Sequence, residues 1–215
     1  MASLPSGAVV AVATAFGTSK TITAITNAAE AVVSSTAHGY SNGDFVIVQS
    51  GWGKLNKRCF RVKAVATDNF TLEGCDTTNT TLYPPGSGAG SAVKINTWVQ
   101  LSGVMNPQSS GGDAKRVPYR FLESDVEYVI NDGFNAITAS IELDADQIGT
   151  PGYTALKTLT DVQTDTVRRI TLKSGSQILL PCTLAMNEEV RMQDGQINRV
   201  MVDFSGNGRS TRYAS

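Results

Sequence analysis

Short segments of alternating apolar and polar residues, each ended by turn-forming residues, follow one another along almost the whole chain. In residues 135–143, for example, Ile137, Ile141 and Leu143 fall on one side of the alternation and Glu142 falls on the other. Side chains alternate between the two faces of a β-strand, so this pattern predicts strands buried on one face. Only 17% of the 215 residues are charged, which fits sheets joined by tight turns. The sequence therefore predicts an all-β fold.

The predicted strands divide into two groups that differ in length. Short strands alternate with turns from residue 21 to residue 95, which predicts a small β-barrel or sandwich. Longer strands are predicted at residues 97–105, 118–122, 126–130, 135–143, 167–173, 177–185 and 197–204. Because one strand precedes the short ones, residues 20–95 are interpreted as an inserted barrel, and residues 1–19 with 96–215 as the core domain. This interpretation requires the opening strand to pair with strands beyond Asn96.

One helix and one tight hairpin are predicted in the core domain. Thr150 can cap the helix, Pro151 suits its first position, and Tyr153, Leu156 and Leu159 share one face. We expect this helix to cover a face or an edge of the sheet. The turn at residues 173–176 predicts a hairpin between two strands. The fold class is thus all-β with one short helix: a β-sandwich or barrel core with an inserted small β-barrel domain.

Two features of the core domain are unusual for a globular protein. The first is a long polar loop with a glycine pair, predicted over residues 105–118. The second is two acidic series with carboxylates two residues apart, so that each series would share one face of a strand. Their members are Glu123, Asp125 and Glu127, and Glu142, Asp144 and Asp146. Like charges on one face destabilise a strand, which indicates either a plainly solvated face or a collective role.

The sequence offers no pattern that favours catalysis or metal binding. His38 is the only histidine and lies among turn residues without a nucleophile motif nearby, so it is interpreted as structural. Cys59, Cys75 and Cys182 have no CxxC spacing and are interpreted as free, buried thiols. The acidic series match neither a calcium loop nor a glycosidase cleft motif. We therefore expect no enzyme activity, no metal and no cofactor.

Charge and hydropathy argue against DNA binding, membrane insertion and export. The formal net charge is −1, which argues against a protein that binds DNA by neutralising phosphates. No run approaches the roughly 18 apolar residues of a membrane span. No Lys or Arg precedes the apolar run at residues 8–16, as one would in a signal peptide. We therefore expect a cytoplasmic site of synthesis and no membrane partner.

The segments after residue 95 resemble one known family. They are, in order, TWVQLSGVMNP with the polar loop after it, RVPYRFLESDVEYVI, ITASIELDAD, PGYTALKTL, RRITLKSGSQILLPCTLAMNE and MVDFSGNGRSTRYAS. With the opening strand, they resemble the tail tube (major tail) proteins of long-tailed bacteriophages. In residues 20–95, AHGYSNGDFVIV, KLNKRCFRV and NFTLEG resemble the small β-barrel of the first catalytic-cysteine half-domain of ubiquitin-activating enzymes. That module does not carry the catalytic cysteine, so Cys59 gains no chemistry from it.

The tail tube resemblance implies a homohexameric ring of β-sandwiches around a channel, with rings stacked into a tube that DNA crosses during ejection. It implies a place in the virion tail after assembly in the host cytoplasm, and partners among tape-measure, tail-tip and tail-terminator proteins. The family's extended loop, which reaches the adjacent ring, corresponds to the predicted polar loop. The expected stacking residues are Met105, Asn106, Pro107, Gln108, Ser109, Ser110, Gly111, Gly112, Asp113, Lys115 and Arg116.

The resemblance also gives the acidic series a hypothetical role. A negative channel wall repels phosphates, so DNA passes without sticking. The candidate lumen-lining acids are Glu123, Asp125, Glu127, Glu142, Asp144 and Asp146. Two alternatives stay open: another phage ring protein, such as a tail terminator or head-tail connector, and an all-β carbohydrate-binding module that uses Trp52 and nearby Tyr residues on the inserted barrel.

Overall fold

The alternating segments form one long antiparallel sheet. The structure, a computed structural model, describes residues 6–214. Within that range, fourteen strands join the long sheet, and a separate hairpin forms a second, two-stranded sheet. The prediction of an all-β fold with one short helix is confirmed.

The first eight strands comprise the opening strand and the strands of the predicted insertion. They are β1 (Val9–Phe16), β2 (Lys20–Ile22), β3 (Ala24–Ile25), β4 (Val32–Ser34), β5 (Phe45–Ser50), β6 (Arg58–Lys63), β7 (Asn69–Leu72) and β8 (Gly90–Gln100). Strand β8 serves both parts of the chain, because its first half pairs with β2 and β5 and its second half pairs with β1.

The remaining elements form the rest of the core. They are β9 (Val104–Ser110), β10 (Ala114–Tyr119), β11 (Tyr128–Phe134), β12 (Thr138–Asp144), a 3₁₀ helix (Ala145–Gln147), α1 (Pro151–Val162), β13 (Thr166–Thr171), β14 (Gln177–Arg191), β15 (Arg199–Gly206) and β16 (Thr211–Tyr213). The predicted hairpin lies between β13 and β14, where Gly175 N donates to Leu172 O at 2.8 Å.

Strand β1 connects the two parts of the sheet. It pairs on one side with β8, where Ala13 lies opposite Trp98, and on the other side with β13, where Val10 lies opposite Ile170. The expected pairing of the opening strand with strands beyond residue 96 is therefore confirmed. The domain boundaries remain a prediction, because β8 runs without a break across the proposed boundary at residue 95.

Buried apolar side chains form three clusters. The first lies under α1 and contains the inward faces of β12 and β15, including Ile141 and Phe204. The second fills the region of the short strands and includes Trp52. The third joins Phe45 of β5 to Val167 of β13. Since the third cluster draws on both parts of the chain, the short-strand region packs directly against the core sheet.

Helix α1 forms as the sequence predicts. Thr150 Oγ1 accepts a hydrogen bond from the Tyr153 backbone N–H at 3.4 Å, and Pro151 is the first helical residue. Tyr153, Leu156 and Leu159 are buried in the first cluster, and the helix contacts β1, β8 and β14. No helix between residues 6 and 214 is long and apolar enough to cross a membrane.

Arg61 in the short-strand region forms an ion pair with Glu73 and contacts Tyr213 near the end of the chain. The Arg61 guanidinium in β6 donates two hydrogen bonds to the Glu73 carboxylate, one of them from Nη2 to Oε1 at 2.7 Å. Arg61 also lies over the ring of Tyr213 in β16, 4.7 Å from its centre. The Tyr213 hydroxyl accepts a hydrogen bond from the Arg61 backbone N–H at 2.8 Å. The bond from Arg61 holds the pKa of the Glu73 carboxyl below its usual range.

Replacing Glu73 with Gln is expected to lower the free energy of unfolding by roughly 1–2 kcal/mol at pH 7, because the ion pair is three-quarters buried and doubly hydrogen-bonded. The lowered pKa means that this stabilisation is complete above about pH 4.3, the unfolded value, and is lost as the pH falls through the folded value. Urea denaturation of both proteins between pH 7 and pH 3 measures the difference, which should shrink below about pH 4.

Glu30 provides the matched control, since its ion pair with Lys63 is exposed. The Glu30→Gln change should have a smaller effect at pH 7. A Glu73→Gln difference that stays constant down to pH 3 would contradict the role of the ion pair.

Candidate assembly surface

Residues 112–135 form a hairpin that we call the arm. Its strands β10 and β11 pair only with each other, with Val117 opposite Ile130 and Tyr119 opposite Tyr128. Every residue of β11 and all but the first of β10 are exposed. The arm therefore stands clear of the rest of the subunit, and a two-stranded hairpin alone is only marginally stable in water.

The arm concentrates large apolar side chains that are exposed, although Arg209 lies over one of them, Phe134, at 4.9 Å from the ring centre. Exposed large hydrophobic residues of the arm are Val117, Tyr119, Phe121, Leu122, Val126, Tyr128, Val129, Ile130 and Phe134. Three of the rings contact one another, with Tyr119 centred 5.5 Å from Phe121 and 5.6 Å from Tyr128. Contiguous exposed apolar surface on this scale marks an interaction site. The arm is therefore the strongest candidate for a binding surface in this protein.

Gly111 and Gly112 redirect the chain from β9 into the arm. Both residues have positive φ, at 83° and 78°, a conformation that glycine adopts without the strain imposed by a Cβ. A Cβ on Gly111 would overlap the carbonyl oxygen of Ala136, where the chain returns to the sheet. A Cβ on Gly112 would meet only the Ile137 side chain, at 3.5 Å. The glycine pair thus fixes where the arm leaves the sheet.

The Gly111→Ala change should destabilise the protein more than Gly112→Ala. Both variants carry the strain of a positive φ, about 1–2 kcal/mol, but only Gly111→Ala must also displace the backbone at Ala136. Chemical denaturation of the two variants measures the difference in free energy of unfolding. Equal losses in the free energy of unfolding would contradict this expectation, because they would show that the backbone at Ala136 moves away from the added Cβ at little energetic cost.

The prediction of a long loop over residues 105–118 is wrong. Met105, Asn106, Pro107, Gln108, Ser109 and Ser110 lie in β9, which pairs with β12 and forms one edge of the long sheet. Asp113 lies at the base of the arm, and Lys115 and Arg116 lie in β10. Because the outer half of β9 and nearly all of β10 are solvated on both faces, these segments lack the alternation that identifies half-buried strands. Lys115 pairs with Asp132 across the arm at 3.1 Å.

The first acidic series does not form a strand. Glu123, Asp125 and Glu127 lie in the turn between β10 and β11, where Ser124 N donates to Phe121 O at 3.1 Å. The prediction that they share one face of a strand is therefore wrong, because the chain reverses direction at these residues. They instead give the tip of the arm, residues 120–127, three exposed carboxylates. In the described part of the chain none of the three forms an ion pair.

Only two members of the second acidic series lie in a strand. Glu142 and Asp144 lie in β12, but Asp146 lies in the 3₁₀ helix. Glu142 accepts hydrogen bonds from Arg199 at 3.0 Å and from Asn106 at 2.7 Å. Asp144 caps the 3₁₀ helix by accepting from the Asp146 N–H at 3.0 Å. The expected uniform acidic face is wrong, since one member is neutralised and one has left the strand.

The groups considered for chemistry occupy structural positions. His38 is buried and accepts a hydrogen bond at Nδ1 from Tyr40 N at 3.0 Å, while its Nε2 lies 3.0 Å from Ala66 O. Burial raises the pKa of the Cys75 thiol to about 11. Trp52 is 2% exposed, so it offers no face for stacking a sugar. No group of three or more His, Cys, Asp or Glu residues within residues 6–214 is placed to hold a metal ion.

The sequence signal for the arm is the cluster of aromatic residues in RVPYRFLESDVEYVI, which the two strands predicted at residues 118–122 and 126–130 do not explain. The apolar residues of this segment do not alternate cleanly. An apolar run without alternation is compatible with a strand that is buried on both faces by other parts of the protein or by another chain.

Comparison with protein families gives a match over most of the chain. The family model described as phage tail tube protein matches residues 50–215, which include β6 to β16, the arm and α1. A search of curated proteins finds no match. The resemblance of residues 20–95 to a ubiquitin-activating half-domain remains a prediction.

Proposed function

The chain belongs to the phage tail tube protein family, and from that membership we propose that six copies close into a ring and that rings stack into a channel for DNA. Membership in the family makes the chain a structural subunit of the virion tail. The six-fold ring, the channel and the passage of DNA through it during ejection are the parts that we propose.

The arm is the observation that carries this proposal. A subunit that works alone gains nothing from an arm whose surface is apolar and mostly exposed to water. A subunit that is always surrounded by copies of itself can bury that surface in its neighbours. The arm of one copy would bind a different surface on the neighbouring copy, so the contact is heterologous. Heterologous contacts generate rings or helical filaments. A stacked tube combines both outcomes.

The free edge of the sheet supports the same conclusion. The long sheet ends at β9, whose outer backbone groups pair with no strand among those described. An exposed edge strand invites pairing with another chain. We propose that a neighbouring copy covers β9, while Pro107, which lacks an N–H, limits the pairing to part of the edge.

The channel wall must let DNA slide past, and exposed acids on that wall would serve this purpose. Asp144 and Asp146 form no ion pair among residues 6–214 and lie together at the end of β12. We propose these two carboxylates for the wall. Glu142 is excluded from this role because Arg199 already neutralises it.

Electron microscopy of the purified protein tests the ring and the channel. End-on averages should show six-fold rings with an open centre, and side views should show stacked tubes. Rings that never stack would favour a tail terminator or a connector. A protein that stays monomeric at every concentration would contradict the proposal.

A further inference from the structure

The positive charge of Arg168 has no acidic partner among the described residues of its own subunit. It occupies β13 in the middle of the sheet and is only 6% exposed. Its Nε has no hydrogen-bond partner, and none of the ion pairs formed within residues 6–214 involves it. Its guanidinium carbon lies 5.1 Å from the centre of the Phe204 ring. Arginine stays charged in proteins, so this largely buried side chain would be stabilised by a carboxylate supplied by another chain.

Arg168 lines a pocket that is open to such a partner. The pocket has a volume of about 210 Å³ and lies beside the edge strand β9. Its walls are mainly apolar and include Ile137, Ile170, Ile178 and Leu180. No acidic side chain lines it. A group that fits this pocket should therefore combine a carboxylate with apolar side chains.

The tip of the arm has this combination. Glu123, Asp125 and Glu127 lie there beside the exposed apolar residues Phe121 and Val126, and the Leu122 side chain is fully exposed. The arm leaves its own subunit near the pocket, since residues 107–109 of β9 line the pocket and the glycine pair follows after one further residue. The tip is separated from that point by the length of β10, roughly 20 Å at about 3.3 Å per residue. The arm is thus too extended to fill the pocket of its own subunit.

We propose that the acidic tip of the arm of one copy docks in the pocket of a neighbouring copy, where a tip carboxylate pairs with Arg168 while Phe121 or Leu122 covers the apolar walls. This assignment rests on the proposed tube assembly and names the contact that joins its subunits. Each copy gives one tip and receives one, so the contact repeats along the assembly. The charge left unpaired in the free subunit becomes paired only in the assembled state.

The Arg168→Met variant tests the charge. Methionine keeps an unbranched apolar stem but removes the unpaired cation, so the free subunit should be at least as stable to urea as the unaltered chain. The lowest protein concentration at which tubes form should nevertheless rise about tenfold. Arg169→Met is the matched control, because the adjacent side chain lies on the opposite face of β13, against Trp98 at 4.4 Å. An unchanged threshold for Arg168→Met, or an equal rise for both variants, would overturn the proposal.

A disulfide cross-link tests the location. Asp125→Cys at the tip and Ser109→Cys at the pocket place two thiols in contact only if tip and pocket meet between copies. The three native cysteines are buried and should not compete. Assembled tubes should give a ladder of linked chains on a non-reducing gel after mild oxidation, and each single variant should not. Tubes that give no ladder would overturn the pocket assignment alone, whereas a chain that forms no tubes at all would overturn the proposed function as well.

Discussion

Replacing Phe121, Leu122 and Val126 with serine should yield a folded subunit that no longer assembles into tubes. All three side chains are more than half exposed in the subunit, so their loss should change the free energy of unfolding by less than about 0.5 kcal/mol each. Burying each of them in a neighbour would contribute about 1.5–3 kcal/mol. Since about 1.4 kcal/mol corresponds to a tenfold change in affinity, the concentration required for assembly should rise by at least about a hundredfold.

Sedimentation velocity and electron microscopy measure this loss of assembly, and circular dichroism shows whether the fold is kept. Leu82→Ser is the matched control, because Leu82 is also exposed but lies in the short-strand region, away from the arm. It should assemble normally. A triple variant that forms tubes at the concentration of the unaltered chain would show that the arm does not drive assembly.

The Leu156→Ala change should destabilise the subunit more than any other single change proposed. Leu156 is completely buried at the contact between α1 and the sheet. Truncation of a buried leucine typically lowers the free energy of unfolding by about 2–5 kcal/mol, because it removes apolar contacts and leaves a cavity. Urea denaturation of the unassembled protein measures the loss.

Thr158 gives a control on the solvent side of the same helix. Its hydroxyl only donates back to Thr154 O, at 3.0 Å, so Thr158→Ala should be neutral or slightly stabilising, as alanine favours helices. A Leu156→Ala loss below 1 kcal/mol would mean that α1 contributes little to the first cluster.

The sequence predicts the half-buried parts of the fold well, because burial on one face leaves a periodic trace. Strands β12 and β15 alternate clearly, and the cap at Thr150 and the hairpin at residues 173–176 have distinct local signals. The strands, the cap and the hairpin each match one local pattern, whereas the pairing of β1 follows from the order of the strand groups along the chain.

The sequence does not predict the hairpin structure of the arm or the burial of Arg168, because these parts are exposed on both faces or buried on both faces. Strands β10 and β11 have no inward side in the subunit, so their apolar residues do not alternate with polar ones. Val167 and Arg168 are consecutive yet both buried, because the first and third clusters cover the two faces of β13. Recognising either case requires the tertiary structure.

A cryo-electron microscopy map of assembled tubes tests the central claim that the arm joins the subunits. The map should show residues 112–135 of every copy lying against a neighbouring copy, with Phe121 and Leu122 buried at the contact. Tubes whose arms project freely into solvent, with those side chains exposed, would contradict it.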